Sequence, residues 1–356
     1  MSAERLKLTT YFGERDRTAE GHLLADALLD LYGARKLHTS VLLRGIGGFG
    51  LTHRLRTDQL LSLSEDLPVL SIAIDRPDRI EAVLADVLGL QRRGLVTLER
   101  ARGLTGDTAS AVASPDSKLT VAIGRRERIG RRPAFLAVTE LFREHELAGA
   151  TALLGVDGTR AGSRRRARFF AANADVPMLI LAVGPDARVQ SAADAIAAGL
   201  SEPTLIRERI AVCKRDGVLH APPEPVRERD EHGLAIWQKL TVHSFEHDRH
   251  DGLPLHRAIV SQLRSQGVAG ATTLRGVWGF HGEHPPRGEA WLARQRRAPV
   301  LTVVLDTPDR IQRAFATIDA LTARTGLVTV EAVPAAQAMS AEVVRGGIRL
   351  ARTRPG

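Results

Sequence analysis

"DLPVLSIAIDRPDRI" spans Asp66–Ile80. Its first half does not alternate: Val69, Leu70, Ile72, Ala73 and Ile74 are interrupted only by Ser71. A strand with one wet face alternates apolar and polar side chains, so this strand demands burial on both faces. Its second half spaces Ile80, Val83, Leu84, Val87 and Leu88 for one helical face. Pro77 sits in the first helical turn, where no N–H is needed. The stretch returns as "DVPMLILAVGPDARV" from Asp175 and "RAPVLTVVLDTPDRI" from Arg297. One helix pair covers only one face of its own sheet, so sheets of this composition must cover one another.

The repeat extends in both directions. Upstream lie "LKLTTYFGERDR", "SKLTVAIGRRER" and "QKLTVHSFEHDR", then "KLHTSVLLRGIGGFG", "ELAGATALLGVDGTR" and "GVAGATTLRGVWGFH". From Lys7, Lys118 and Lys239 to Gly45, Gly155 and Gly276 the offsets are 38, 37 and 37 residues. From those glycines to Pro68, Pro177 and Pro299 they are 23, 22 and 23. The closing segments are "RGLVTLERA", "PTLIRERIA" and "TGLVTVEAV". A fixed internal period marks a repeat architecture. The units span residues 5–102, 117–215 and 237–333. Residues 103–116 and 216–236 read as linkers, rich in Gly, Pro, Ser or charge. Residues 334–356 form a C-terminal tail that is partly helical in pattern.

Within a unit the KLT segment reads as a strand, and Leu24, Ala27, Leu28, Leu31 and Tyr32 mark a helical face. Val138, Leu141 and Phe142 repeat that face, as do Ile259, Val260 and Leu263. The order βαββαβ is the ferredoxin-like arrangement. The fold class is therefore α+β: three such units around a pseudo-threefold axis, sheets inward and helices outward, closed within one polypeptide. A monomer is the expected state.

Composition is that of an ordinary globular chain, with 44% apolar and 26% charged residues. No apolar run reaches the ~20 residues of a membrane span, and the N-terminus has no apolar signal core. With Cys213 as the single cysteine, a cytoplasmic location is expected. The net charge of +9 comes almost wholly from dispersed arginines, and 4% aromatic content is poor for base stacking. Nucleic acid is not the expected partner, although a basic nucleic-acid binder is one alternative.

Two glycine-dense stretches follow the second strand: Arg44, Gly45, Gly47, Gly48, Phe49 and Gly50, and then Arg275, Gly276, Gly279 and Phe280. Successive glycine N–H groups can form an anion-binding concavity, and arginine suits bidentate contact with phosphate. Neither GxxxxGK[ST] nor a Rossmann G-x-G-x-x-G is present. The alternative is a tight corner with no ligand. The second unit has "GVDGTRAGSRRRARFF" at this place, with Arg164, Arg165, Arg166 and Arg168 as a basic loop. It reads as a solvated loop or a surface for an acidic partner. His243, His247, His250, His256, His281 and His284 have no equivalents in the other units, and no metal is expected there. No nucleophile–base motif is recognisable, so no catalysis and no cofactor are expected.

"VLLRGIGGFG", "LSEDLPV" and "GLVTLE" in unit 1, with "TTLRGVWGFHG" and "RTGLVTVE" in unit 3, resemble the PII-like proteins of domain of unknown function 190. The resemblance covers unit 1 fully, unit 3 well and unit 2 in spacing. It implies a trimer fused into one subunit and no enzymatic activity. It also implies a regulatory role beside membrane transporters of the fluoride-channel type. A comparable Gly-Phe-Gly stretch in PII proteins opens a mobile loop and lines a nucleotide cleft between subunits. Gly94 and Gly326 mark the last helix-to-strand turn, where PII proteins carry a phosphate-holding Gly-Asp-Gly-Lys; "RRGLVT" and "RTGLVT" lack that lysine. The expected ligand is a small anion or nucleotide, in clefts where the first and third units supply glycine loops. A ligand-free adaptor for a transporter is the alternative.

Overall fold

The computed structural model describes residues 4–57, 66–104, 115–166, 175–282, 285–288, 298–340 and 343–351. Arg168, His284 and most of the first linker lie outside the described residues, as does the side chain of Arg166. The fold is mixed α+β, with six helices and a large antiparallel sheet among the described residues. No described helix is long and apolar enough to cross a membrane.

Each unit sets four main strands in one order. In unit 1 they run Thr39–Arg44, Pro68–Asp75, Glu4–Gly13 and Gly94–Gly103, every neighbouring pair antiparallel. Unit 2 repeats this with Gly149–Leu154, Pro177–Pro185, Asp116–Gly124 and Thr204–Arg215. Unit 3 does so with Gly270–Arg275, Pro299–Asp306, Trp237–Phe245 and Leu327–Val333. In unit 1 the helices are Leu24–Ala34 and Pro77–Leu90, the latter opening on its proline.

The strand that opened the sequence reading is buried along its length, only Ile72 being partly exposed. Its two faces enter different cores. On the helix side, Val69 and Ala73 join Leu24, Leu28, Ile80 and Val83. On the other side, Leu70 and Ile72 meet Val41 and Leu43 of unit 1, Leu153 and Leu179 of unit 2, and Leu274 and Leu301 of unit 3. Burying one such side chain contributes about 1.5–3 kcal/mol, and this core exists only when the units are together.

Strand exchange ties the units. The glycine arm of unit 1, Gly47–Phe49, pairs with the second strand of unit 3. The arm of unit 3, Trp278–His281, pairs with that of unit 2, and the arm of unit 2, Asp157–Arg160, with that of unit 1. The pairings thus close on themselves. The closing strands also meet, unit 2 pairing with unit 1 at Ile206 and Arg207 and with unit 3 from Ala211.

The tail departs from its helical reading. Ala335–Met339 is a strand on the closing strand of unit 1 and forms a hairpin with Val344–Gly347. Alanine is the strongest helix former, but propensity yields to tertiary context, and the otherwise unpaired edge of Gly94–Leu98 offers a ladder of hydrogen bonds instead.

At the centre, six buried charges alternate. Lys7 lies opposite Glu99, Lys118 opposite Glu208 and Lys239 opposite Glu331 in their own units. Those pairs stand at 3.2, 3.3 and 3.0 Å. Each lysine also reaches the glutamate of another unit: Lys7 to Glu208, Lys239 to Glu99, and Lys118 to Glu331 at 2.6 Å. Burial alone would lift the Glu99 and Glu208 carboxyls, but the surrounding lysines hold both below the ordinary carboxylate range. Burial would likewise lower Lys7 and Lys239, yet the facing glutamates raise both. At Lys118 burial outweighs Glu208 and Glu331, and its pKa falls.

Candidate functional site

The middle glycine of each arm makes the strand exchange possible. A Cβ on Gly48 would stand 2.3 Å from the Ala271 carbonyl oxygen, and one on Gly279 2.3 Å from that of Ala150. On Gly158 it would stand 2.1 Å from that of Ser40. Gly45 and Gly276 are equally enclosed, against Pro68 and Pro299. These glycines serve close approach between backbones. Phe49 follows and enters the core of unit 3 beside Leu255, Ile259 and Ala271. Phe280 enters that of unit 2 beside Val138 and Phe142. In unit 2 the equivalent Thr159 is buried, and its N–H and hydroxyl both donate to Ser40 Oγ, at 2.9 and 3.0 Å.

Beyond Phe49 the chain borders a cleft of about 460 Å³ between units 1 and 3. Its wall is apolar: Tyr11, Phe49, Leu51, Leu95, Val303 and Met339. Its charged groups are Arg54, Arg56 and Arg93 with Asp16 and Asp66. Arg56 pairs with Asp66 at 3.1 Å and lies across Gly13, where a Cβ would meet its Nη1 at 2.3 Å. Asp16 accepts the Gly13 N–H at 2.7 Å; burial nonetheless raises its pKa. Burial also raises the Tyr11 phenol, so it stays neutral and can donate.

Of the residues singled out from sequence, Phe49, Gly50 and Gly94 line this cleft. Gly94 has φ +108°, and a Cβ there would meet the Tyr11 carbonyl oxygen at 2.0 Å. Gly47 lies at the arm's start, paired with Thr57 and Thr273. Arg44 is turned to Glu14 at 2.9 Å, and Arg275 to Glu246 at 2.6 Å. Gly276, Gly279 and Phe280 stand at the other junction, between units 3 and 2. Gly326, with φ +96°, packs near the His243 carbonyl in unit 3. Sequence reading passed over Gly13, Arg93 and Tyr11. The signal lay in Gly13 standing where the third unit has Phe245.

The equivalent positions at the other junctions are filled. Where unit 1 has Gly50, unit 2 has Arg160, ion-paired with Glu127 and, at 3.5 Å, with Asp175. Unit 3 has His281 there, stacked on Phe245 with ring centroids 4.5 Å apart. His247 stacks on the same ring at 5.4 Å. Behind them His243 is buried; burial first, then His281 and Lys118, lower its pKa to about 3, so it is neutral. Arg164 of the basic loop is held by Asp157 at 2.6 Å and by Asp26 and Asp30 of unit 1. Among the described residues, the one trio of metal-ligating groups in mutual reach is Glu99, Glu208 and Glu331, and the three lysines already neutralise it.

Comparison with known proteins follows the same three-part division. The sequence model of the family described as Uncharacterized ACR, domain of unknown function 190, matches residues 5–103, 116–212 and 237–335. A curated relative, a UPF0166 protein of Aquifex aeolicus (strain VF5), is 32% identical over 99 residues. That alignment covers 28% of this chain and 93% of the relative.

Proposed function

The chain belongs to the domain of unknown function 190 family, in three tandem copies, and on that premise we propose that it is a non-enzymatic PII-like sensor of a small anionic ligand. The units are read as ferredoxin-like modules closed into an intramolecular pseudo-trimer. Their strand order, cyclic arm exchange, shared core and alternating charges support that reading. The ligand belongs in the cleft between units 1 and 3. The observation that carries this is a single contrast: nothing stands within 4 Å of where a Gly50 Cβ would lie, whereas Arg160 occupies one counterpart and His281, stacked on Phe245, the other.

The lining suggests the ligand's chemistry. An apolar wall suits a heterocycle, and guanidinium groups at Arg54 and Arg93 suit a phosphate or carboxylate. A nucleotide-like anion meets both. Occupancy reports through the loop after Gly50 to a partner, which by family association is a membrane transporter of the fluoride-channel type.

Thermal unfolding against adenine nucleotides, cyclic nucleotides, bicarbonate and fluoride tests this. Ligands that bind the native state raise its melting temperature by mass action. The expected result is a rise for one compound that is lost in Arg54→Ala and kept in Arg44→Ala, whose side chain serves Glu14. No rise with any compound, or a rise that survives Arg54→Ala, overturns the proposal.

A further inference from the structure

A second cavity, of about 450 Å³, lies outside that cleft. It is built where three kinds of segment meet: the linker around Glu228–Trp237, the corner Asp306–Arg310 of unit 3, and the C-terminal hairpin from Arg345 to Arg349. Two of the three are not part of the repeat, so the chain makes this cavity once.

Its polar lining is unbalanced. Arg229, Arg310, Arg345 and Arg349 face two carboxylates, Glu228 and Asp306. Asp306 is already engaged, accepting the N–H groups of Ala269 at 2.7 Å and Thr307 at 2.8 Å. Arg229 spends one N–H on the Gly233 carbonyl at 2.7 Å, which shapes the linker turn. Among the described residues, Arg345 and Arg349 form no ion pair with a carboxylate. Trp237 is 2% exposed and lines the cavity. Its indole N–H, a donor only, has no acceptor among the described residues. A Cβ on Gly346 would come within 3.1 Å of that nitrogen; the glycine, at φ +76°, leaves the approach clear.

Donors in excess, an indole N–H without an acceptor among the described residues and planar guanidinium forks describe a receptor for negative charge. We propose that this cavity binds a small multivalent oxyanion of the phosphate or carboxylate type. The proposal is independent of the cleft: Arg54, Arg56 and Arg93 take no part in it.

The test is calorimetric titration of the full chain, in low-salt buffer free of phosphate, with inorganic pyrophosphate and with citrate. One anion per chain is expected to bind. Arg345→Ala combined with Arg349→Ala should weaken binding at least tenfold, and Trp237→Phe should weaken it by a smaller factor. The same titration should be unchanged in Arg54→Ala, so failure here and failure of the cleft are separable. Preference for pyrophosphate or for citrate decides the anion class. Absence of binding by both overturns the proposal. So does an equal loss in Arg126→Ala combined with Arg143→Ala, two exposed sites on unit 2, because that would mark unspecific charge attraction.

Discussion

Gly48 and Gly50 stand two residues apart and do different work. Gly48 is pressed on a neighbouring carbonyl at φ +153°, whereas a Cβ on Gly50 meets nothing within 4 Å. Gly48→Ala should therefore cost about 2–4 kcal/mol, through overpacking and backbone strain. Gly50→Ala should stay within about 0.5 kcal/mol of the parent. Urea unfolding of both variants checks this, and equal stabilities would contradict the assigned contacts. From sequence the two are indistinguishable, because glycine density signals freedom or proximity without saying which. The histidines were opaque for a related reason: His281 and Phe245 are far apart in the chain, and only the fold stacks them.

The elements themselves were largely legible. Pro77 at the first turn, the apolar faces of the helices and the non-alternating third strands all stand where periodicity placed them. The tail was not, because its strand is dictated by an edge belonging to unit 1, some 240 residues earlier by rough count, and local propensity cannot register that. The arms were half legible. Their glycines were visible, but their use as staples between units depends on Phe49 facing Ala271, Phe280 facing Ala150 and Thr159 facing Ser40. Each arm residue thus complements its partner, a large ring over an alanine in two arms and a hydroxyl beside a hydroxyl in the third. Phe49→Ala empties a site in the core of unit 3 and should cost about 3–5 kcal/mol. Calorimetric melting checks it; an unchanged melting temperature would mean that the arm does not staple the units.

At the scale of the molecule, the alternating lysines and glutamates are what joins all three units at one point. Three of the five lysines in this arginine-rich chain stand there, each opening an apolar strand, and that pattern was readable as an anomaly. A compact ammonium fits between two carboxylates where a guanidinium fork would crowd. Removing one partner of a buried ionic group typically costs 3–5 kcal/mol, so Lys239→Met should lose about that much near neutral pH. The sign with pH follows from the shifts. Glu99 and Glu208 titrate lower when folded, so their stabilisation is present above the ordinary carboxylate pKa and is lost as pH falls through the depressed values. Lys7 and Lys239 titrate higher when folded, so theirs is present below the ordinary lysine pKa and is lost as pH rises through the raised values. In Lys239→Met the carboxyls lose a cation and protonate more readily. The deficit against the parent should therefore shrink between about pH 7 and pH 4. Urea midpoints at both pH values check this, and a deficit independent of pH would rule it out.

Separate subunits cannot differ from one another; tandem units can. Gly50, Arg160 and His281 occupy one position in three copies, and of these three residues the first alone brings no side chain to its junction. In a ring of identical chains each substitution appears three times, and every pocket has two siblings through which occupancy can become cooperative. On the proposed reading a pocket without siblings takes a single ligand, and its saturation curve is a plain hyperbola. A response built on that curve is graded, rising in proportion to ligand only well below half-saturation, and lacks the threshold that a set of coupled sites would give it.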